Sequence, residues 1–140
     1  TTLFRSGDGD KGGALFKNAI AGLIATAPEA MIFFAPHLNS WRRFQESSHA
    51  PTRATWGYEN RTAAIRVPAD TGANRRFEHR VSGADANPYL VLAALLAGAL
   101  HGIEKKLAPP AALEGNAYKS DAPKLSLGWR AALDAFRAVR

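Results

Sequence analysis

The stretch Arg76-Phe-Glu-His-Arg-Val81 alternates with a strict period of two, and this constrains the chain more than any other feature. In an extended strand, successive side chains point to opposite faces. Arg76, Glu78 and Arg80 therefore share one face, roughly 6.8 Å apart, with Phe77, His79 and Val81 on the other. One carboxylate is held between two guanidiniums. Such a glutamate is favoured in its ionised form and is a ready oxygen ligand for Mg²⁺ or Mn²⁺, while each arginine can bind carboxylate or phosphate through two parallel hydrogen bonds. The same pattern also describes a solvated sheet face with cross-strand ion pairs.

Two further strands are expected, Arg53 to Tyr58 and Ala63 to Val67, the second ended by Pro68. With the polar turn Asp70 to Asn74 leading into the arginine-rich strand, the three read as an antiparallel meander. If neighbours pair, Arg66 projects to the same side as Glu78, and Arg61 sits one turn away in Asn60-Arg-Thr62. Four arginines and one acid on a single face require an anionic partner, because like charges that close repel unless neutralised. A formal net charge of +6 would by itself permit nucleic acid, an anionic membrane or a polyphosphate. A nucleic-acid surface would mix Lys, Arg and exposed aromatics over a broad patch, whereas an all-arginine cluster around one acid suits a compact polyphosphate with its metal.

The rest of the chain reads as helices and loops. The segment Arg5 to Gly13 is polar and glycine-rich and predicts a loop. Leu15, Phe16, Ala19, Ile20, Leu23 and Ile24 paint one face of a helix, after which Thr26 and Pro28 open a second through Phe34. Pro36 to Pro51 reads as a structured loop. Asn87-Pro88 is a strong helix start, and the helix from Tyr89 to about Lys106 is apolar nearly all round, which predicts burial in the core. Pro109 to Lys124 is a loop, and a last amphipathic helix carries Trp129, Ala132, Leu133, Phe136 and Val139. The expected fold class is α+β: a small antiparallel sheet backed by the Leu15 to Ile24 and Leu90 to Ile103 helices, its arginine-rich face being the ligand side.

The chain has no cysteine, which excludes disulfides and Cys-based metal sites, and its four histidines lack ligand-pair spacing. His37 and His101 are expected to be structural or exposed, and Trp41, Trp56 and Trp129 to pack. The most apolar run, Tyr89 to Leu100, has 12 residues against the roughly 20 needed to span a bilayer. No charged-then-apolar leader opens the sequence, so a soluble, cytoplasmic protein with no membrane partner is expected.

Five motifs then stand together: Asn39-Ser-Trp-Arg-Arg43, Ala50-Pro51, Asn60-Arg-Thr-Ala-Ala-Ile-Arg-Val-Pro68, Arg75-Arg-Phe-Glu-His-Arg80 and Ala86-Asn-Pro-Tyr-Leu90. In this order, and within fifty-two residues, they resemble the glutamine synthetase family. The resemblance runs from about Leu3 to the final helix.

That resemblance implies ATP-dependent ligation of an amine to the γ-carboxylate of L-glutamate through γ-glutamyl phosphate. By position, Glu78 resembles a ligand of a catalytic Mg²⁺ or Mn²⁺. Arg43 and Arg80, with Arg61, resemble glutamate-binding residues; Arg61 and Arg66 resemble residues at the ATP phosphates, and Arg76 an arginine near the nucleotide. Arg61, Arg80 and His49 are the catalytic candidates. His49 falls where ammonia-using members carry a flap glutamate. With Thr55-Trp-Gly-Tyr-Glu-Asn-Arg61, it makes the chain similar to the branch acting on putrescine and other alkyl amines. An ammonia-using glutamine synthetase is the neighbouring alternative, and a non-catalytic scaffold or anion-binding domain is the alternative of another class. The resemblance further implies that residues 1–140 are the C-terminal part of a catalytic domain truncated at both ends, inactive alone, and that the full-length protein is a homo-oligomer without a nucleic-acid partner.

Overall fold

The computed structural model describes residues 13–69, 75–125 and 128–139. The glycine-rich stretch 5–12 and the turn 70–74 lie outside the described residues. Helix α1 spans Ala14–Ala25 and α2 spans Ala27–Phe34; strands β1 (Trp56–Tyr58), β2 (Ile65–Val67) and β3 (Glu78–His79) follow, then α3 (Pro88–Glu104) and α4 (Trp129–Ala138).

The α1 stripe forms as its spacing predicts, burying Phe16, Ala19, Ile20 and Leu23. Thr26 does occupy the N-cap of α2, but its hydroxyl donates back to the Gly22 carbonyl at 3.0 Å and does not cap the new helix. Asn87 caps α3 as expected, its Oδ1 accepting the N–H groups of Tyr89 and Leu90 at 3.0 and 3.3 Å. Within the expected loop after Pro36, a six-residue 3-10 segment, Leu38–Arg43, carries Arg43.

Helices α1 and α3 cross at Gly22, Gly98 and Gly102. A Cβ on Gly22 would collide with the Gly98 carbonyl, and one on Gly102 with the carbonyl of Asn18. The absence of side chains lets the two backbones touch, which places α1 as the inner layer of the core. The expectation of a wholly buried α3 is corrected. Only Val91, Leu95, Gly98, Ala99 and Gly102 are enclosed, while Tyr89, Leu90, Leu92, Leu96 and Leu100 remain exposed among the described residues. The helix meets α1 and, less extensively, α2, and the apolarity of its outer face does not by itself bury that face.

The expectation of an antiparallel meander is also corrected. The sheet order is β1-β2-β3, with β1 and β2 parallel and β2 and β3 antiparallel. Parallel neighbours ordinarily need a crossover of a dozen or more residues, yet residues 59–64 link these two. Glu59 takes a left-handed φ of 50°. Asn60 folds the link: its Oδ1 accepts from the Thr62 N–H at 3.0 Å, and its Nδ2 donates to Leu113 and Gly115 carbonyls at 3.1 and 2.8 Å. The first strand is also shorter than expected, because residues 52–54 pair with 123–125 instead: Ala54 N–H donates to Pro123, and Leu125 N–H to Thr52.

Candidate active site on the β2–β3 face

The alternation predicted for Arg76 to Val81 holds beyond the two residues of β3. Phe77 and Val81 are fully buried, with Phe77 edge-on to Phe16. The His79 ring lies 4.6 Å from that of Phe34. Arg76, Glu78 and Arg80 are only half-buried on the opposite side. The sequence-predicted charged face is therefore real, and its rear is core.

Antiparallel register places Arg66 opposite Glu78. Arg66 Nη1 donates to Glu78 Oε2 at 3.0 Å and to Oε1 at 3.3 Å. Its Nη2 donates to Glu59 Oε2 and Oε1 at 3.0 and 3.2 Å. The Glu59 hydrogen bonds, followed by those of Glu78, raise the Arg66 pKa against partial desolvation. The Arg66 bonds and the Ala69 N–H hold the Glu59 carboxyl below the usual carboxylate range.

Arg80 braces the adjoining loops. Its Nη1 donates to the carbonyls of Arg61 and Ala63, and its Nη2 to that of His49 at 3.3 Å. Burial lowers its pKa and the Glu78 charge opposes this, while Arg66 and Arg61 repel it. The guanidiniums of Arg61, Arg66 and Arg80 thus share one electrostatic neighbourhood, in which Glu59 and Glu78 offset part of the positive charge. Arg61 is exposed and borders a cleft of about 430 Å³ with Tyr58, Glu59, Asn60 and Glu114. His49 is exposed at a left-handed φ of 63°, meeting the cluster through its carbonyl.

Arg43 stands at the end of this face. Its Nη2 donates to the Val81 carbonyl, its guanidinium lies 4.3 Å from the Phe44 ring, and burial lowers its pKa while Asp85 opposes. Asp85 is tied down by Ser40, whose hydroxyl donates to Oδ2 at 2.5 Å. His37 and His101 are exposed; Trp56 and Trp129 pack with their Nε1 groups on the Pro110 and Pro36 carbonyls.

Glu78 is the one carboxylate of β3, and among the described residues no group of three or more His, Asp or Glu could hold a metal ion. A divalent ion of the Mg²⁺ type wants about six oxygens. The donors among the described residues therefore do not make a complete site, and Glu78 would contribute a single carboxylate to one.

Sequence reasoning missed Glu59, Asp85 and Arg75. Glu59 enters the cluster only through the parallel link, and nothing local in the sequence reports a left-handed backbone there. Arg75 is 2 % exposed, one of the largest enclosed side chains, and lies one residue before the strand expected from Arg76.

The family profile described as glutamine synthetase, catalytic domain, matches residues 1–139. The chain belongs to the glutamine synthetase family. It is 48 % identical over 107 residues to gamma-glutamylputrescine synthetase PuuA of Escherichia coli (strain K12), covering 76 % of this chain and 23 % of that protein. It is 46 % identical over 107 residues to gamma-glutamylethanolamide synthetase GlnA4 of Streptomyces coelicolor (strain ATCC BAA-471 / A3(2) / M145), with the same coverage. A solved chain described as a GmaS/ADP complex, conformation 1, superposes with a TM-score of 0.83 at 32 % identity, over 95 % of this chain and 33 % of that one. The fold is that of the family's catalytic domain. The chain spans about a quarter of the length of these curated relatives. No helix among the described residues is long and apolar enough to cross a membrane.

Proposed function

We propose that this chain is the C-terminal part of a catalytic domain that ligates an amine to the γ-carboxylate of L-glutamate at the expense of ATP, with a polyamine or other alkyl amine as acceptor. The observation that carries the reading is the β2–β3 face, where Arg66 and Glu78 pair in register beside Arg61 and Arg80. The apolar residues exposed along α3 suit a segment packed within a larger domain.

In this reading the terminal phosphoryl group of ATP passes to the γ-carboxylate, releasing ADP. The amine nitrogen then attacks the acyl carbon, phosphate leaves, and the nitrogen loses a proton. Arg61 and Arg66 bind the phosphates and spread the charge that grows on the transferring group. Arg76 lies near the nucleotide. Arg43 and Arg80, with Arg61, orient glutamate so that its γ-carboxylate is in line for transfer. His49 belongs to the flap that shields the acyl phosphate from water. Glu78 would supply one carboxylate to a Mg²⁺ or Mn²⁺, and such an ion, when bound, would neutralise phosphate charge. The full-length protein is expected to be a cytoplasmic homo-oligomer.

The test is formation of ADP by the full-length protein with glutamate and ATP, comparing putrescine, ethanolamine and ammonia as acceptors. The reading expects an alkyl amine to give the higher kcat/KM. Preference for ammonia overturns the acceptor, and no glutamate-dependent ADP release with any amine overturns the ligase.

A further inference from the structure

The ion pairs on the β2–β3 face include one carboxylate for which the proposed function has no use. Arg66 is gripped at both terminal nitrogens, Nη1 by Glu78 and Nη2 by Glu59, each at 3.0 Å. Among the described residues its Nε has no hydrogen-bond partner. Glu59 holds the terminal nitrogen that Glu78 does not reach, so it anchors one end of the guanidinium independently of Glu78.

Glu59 is built for that task. Its side chain is 51 % exposed, and a glutamate so exposed would ordinarily sample many rotamers. Here the backbone is fixed in the left-handed region, φ 50°, where a non-glycine residue costs on the order of 1 kcal/mol. The Glu59 N–H donates to Val67 at 2.9 Å, and Oε1 accepts the Ala69 N–H at 2.6 Å. The carboxylate is thus tied to β2 at both its backbone and its tip. Because a guanidinium is a rigid planar fork, fixing Nη2 also fixes the direction of the Nη1 protons.

We propose that Glu59 is a positioning residue for ATP: it holds the Arg66 guanidinium by Nη2 and so fixes the direction in which the rest of the fork is presented to a phosphate oxygen. This rests on the assignment of Arg66 to phosphate made above. Glu59 does not touch the nucleotide and acts through Arg66 alone.

The test is steady-state kinetics of the full-length protein with Glu59→Asn, Glu59→Gln, Arg66→Ala and the double variant Glu59→Asn/Arg66→Ala. Asparagine tolerates the left-handed backbone but stops short of Arg66. The expected result is an ATP KM raised about tenfold by Glu59→Asn, with the glutamate KM changed less than about twofold. Glu59→Gln, which keeps an acceptor and loses the charge, falls between that variant and the unsubstituted protein. The double variant should match Arg66→Ala alone, because a residue acting through another adds nothing once that other is gone. If Arg66→Ala raises the ATP KM and Glu59→Asn does not, or if their effects add, the inference is overturned and the function stands. An Arg66→Ala variant with an unchanged ATP KM overturns the inference together with the assignment beneath it. An equal rise in both substrates' KM marks Glu59 as merely structural and also overturns the inference.

Discussion

Arg66 and Glu78 face each other across the β2–β3 pair, closed into an ion pair at 3.0 Å by backbone register alone. Glu78 is one third exposed, so the pair is worth little to folding, at most about 1 kcal/mol. Its value is positional: the same ladder that pairs the strands sets the distance between a cation suited to phosphate and an anion suited to a metal.

Under the proposed function, Glu78→Ala lowers kcat of the full-length protein by about a hundredfold or more, the scale of losing a charge-stabilising group in the transition state. Its thermal midpoint should move by only a few degrees, in keeping with a partly exposed pair. ADP release and a melting curve on the same preparation check both halves.

His79 couples stability to acid. Burial, aided by the Arg43 charge, pushes its imidazole down to about 3 from an ordinary 6.5, and Nδ1 has no hydrogen-bond partner among the described residues. Between those pH values the unfolded chain binds a proton that the folded chain refuses. The stability contribution is therefore complete above about pH 6.5 and is lost as pH falls toward 3. Discounted for partial exposure of the residue, the loss is on the order of 1 to 3 kcal/mol. Denaturant melts at pH 7 and pH 4.5 should differ in the native protein, and His79→Leu should shrink that difference.

Gly102→Ala tests the helix crossing. The new methyl group would meet the Asn18 carbonyl and the Gly22 backbone, neither of which can rotate away. A loss of about 2 kcal/mol or more is expected, as for an overpacked core. The Gly115→Ala change meets no atom within 4 Å but sits at φ 83°, so its smaller cost arises from backbone strain alone.

Much of the site was legible because period two is a local property. The faces of Arg76 to Val81 and the cap at Asn87 follow from neighbouring residues, and both hold. What was not legible depends on distant groups. The parallel β1–β2 pairing relies on Asn60 reaching Leu113 and Gly115, 53 and 55 residues away. The shortened β1 reflects competition from 123–125 for the backbone at 52–54. The exposed leucines of α3 show a third limit, since hydropathy states a preference for burial without naming what would do the burying.

The six-residue link 59–64 leaves no slack between Glu59 N–H on Val67 and Ile65 N–H on Thr55. An in-frame insertion of a single codon there would slip β2 by one position and turn Arg66 toward the core, since adjacent strand residues face opposite sides. Gene variants of this kind should be as damaging as deleting the Arg66 side chain outright, although every residue of the site is still encoded. Length in this segment therefore matters as much as chemistry, and libraries that randomise residue identity here should keep the spacing fixed.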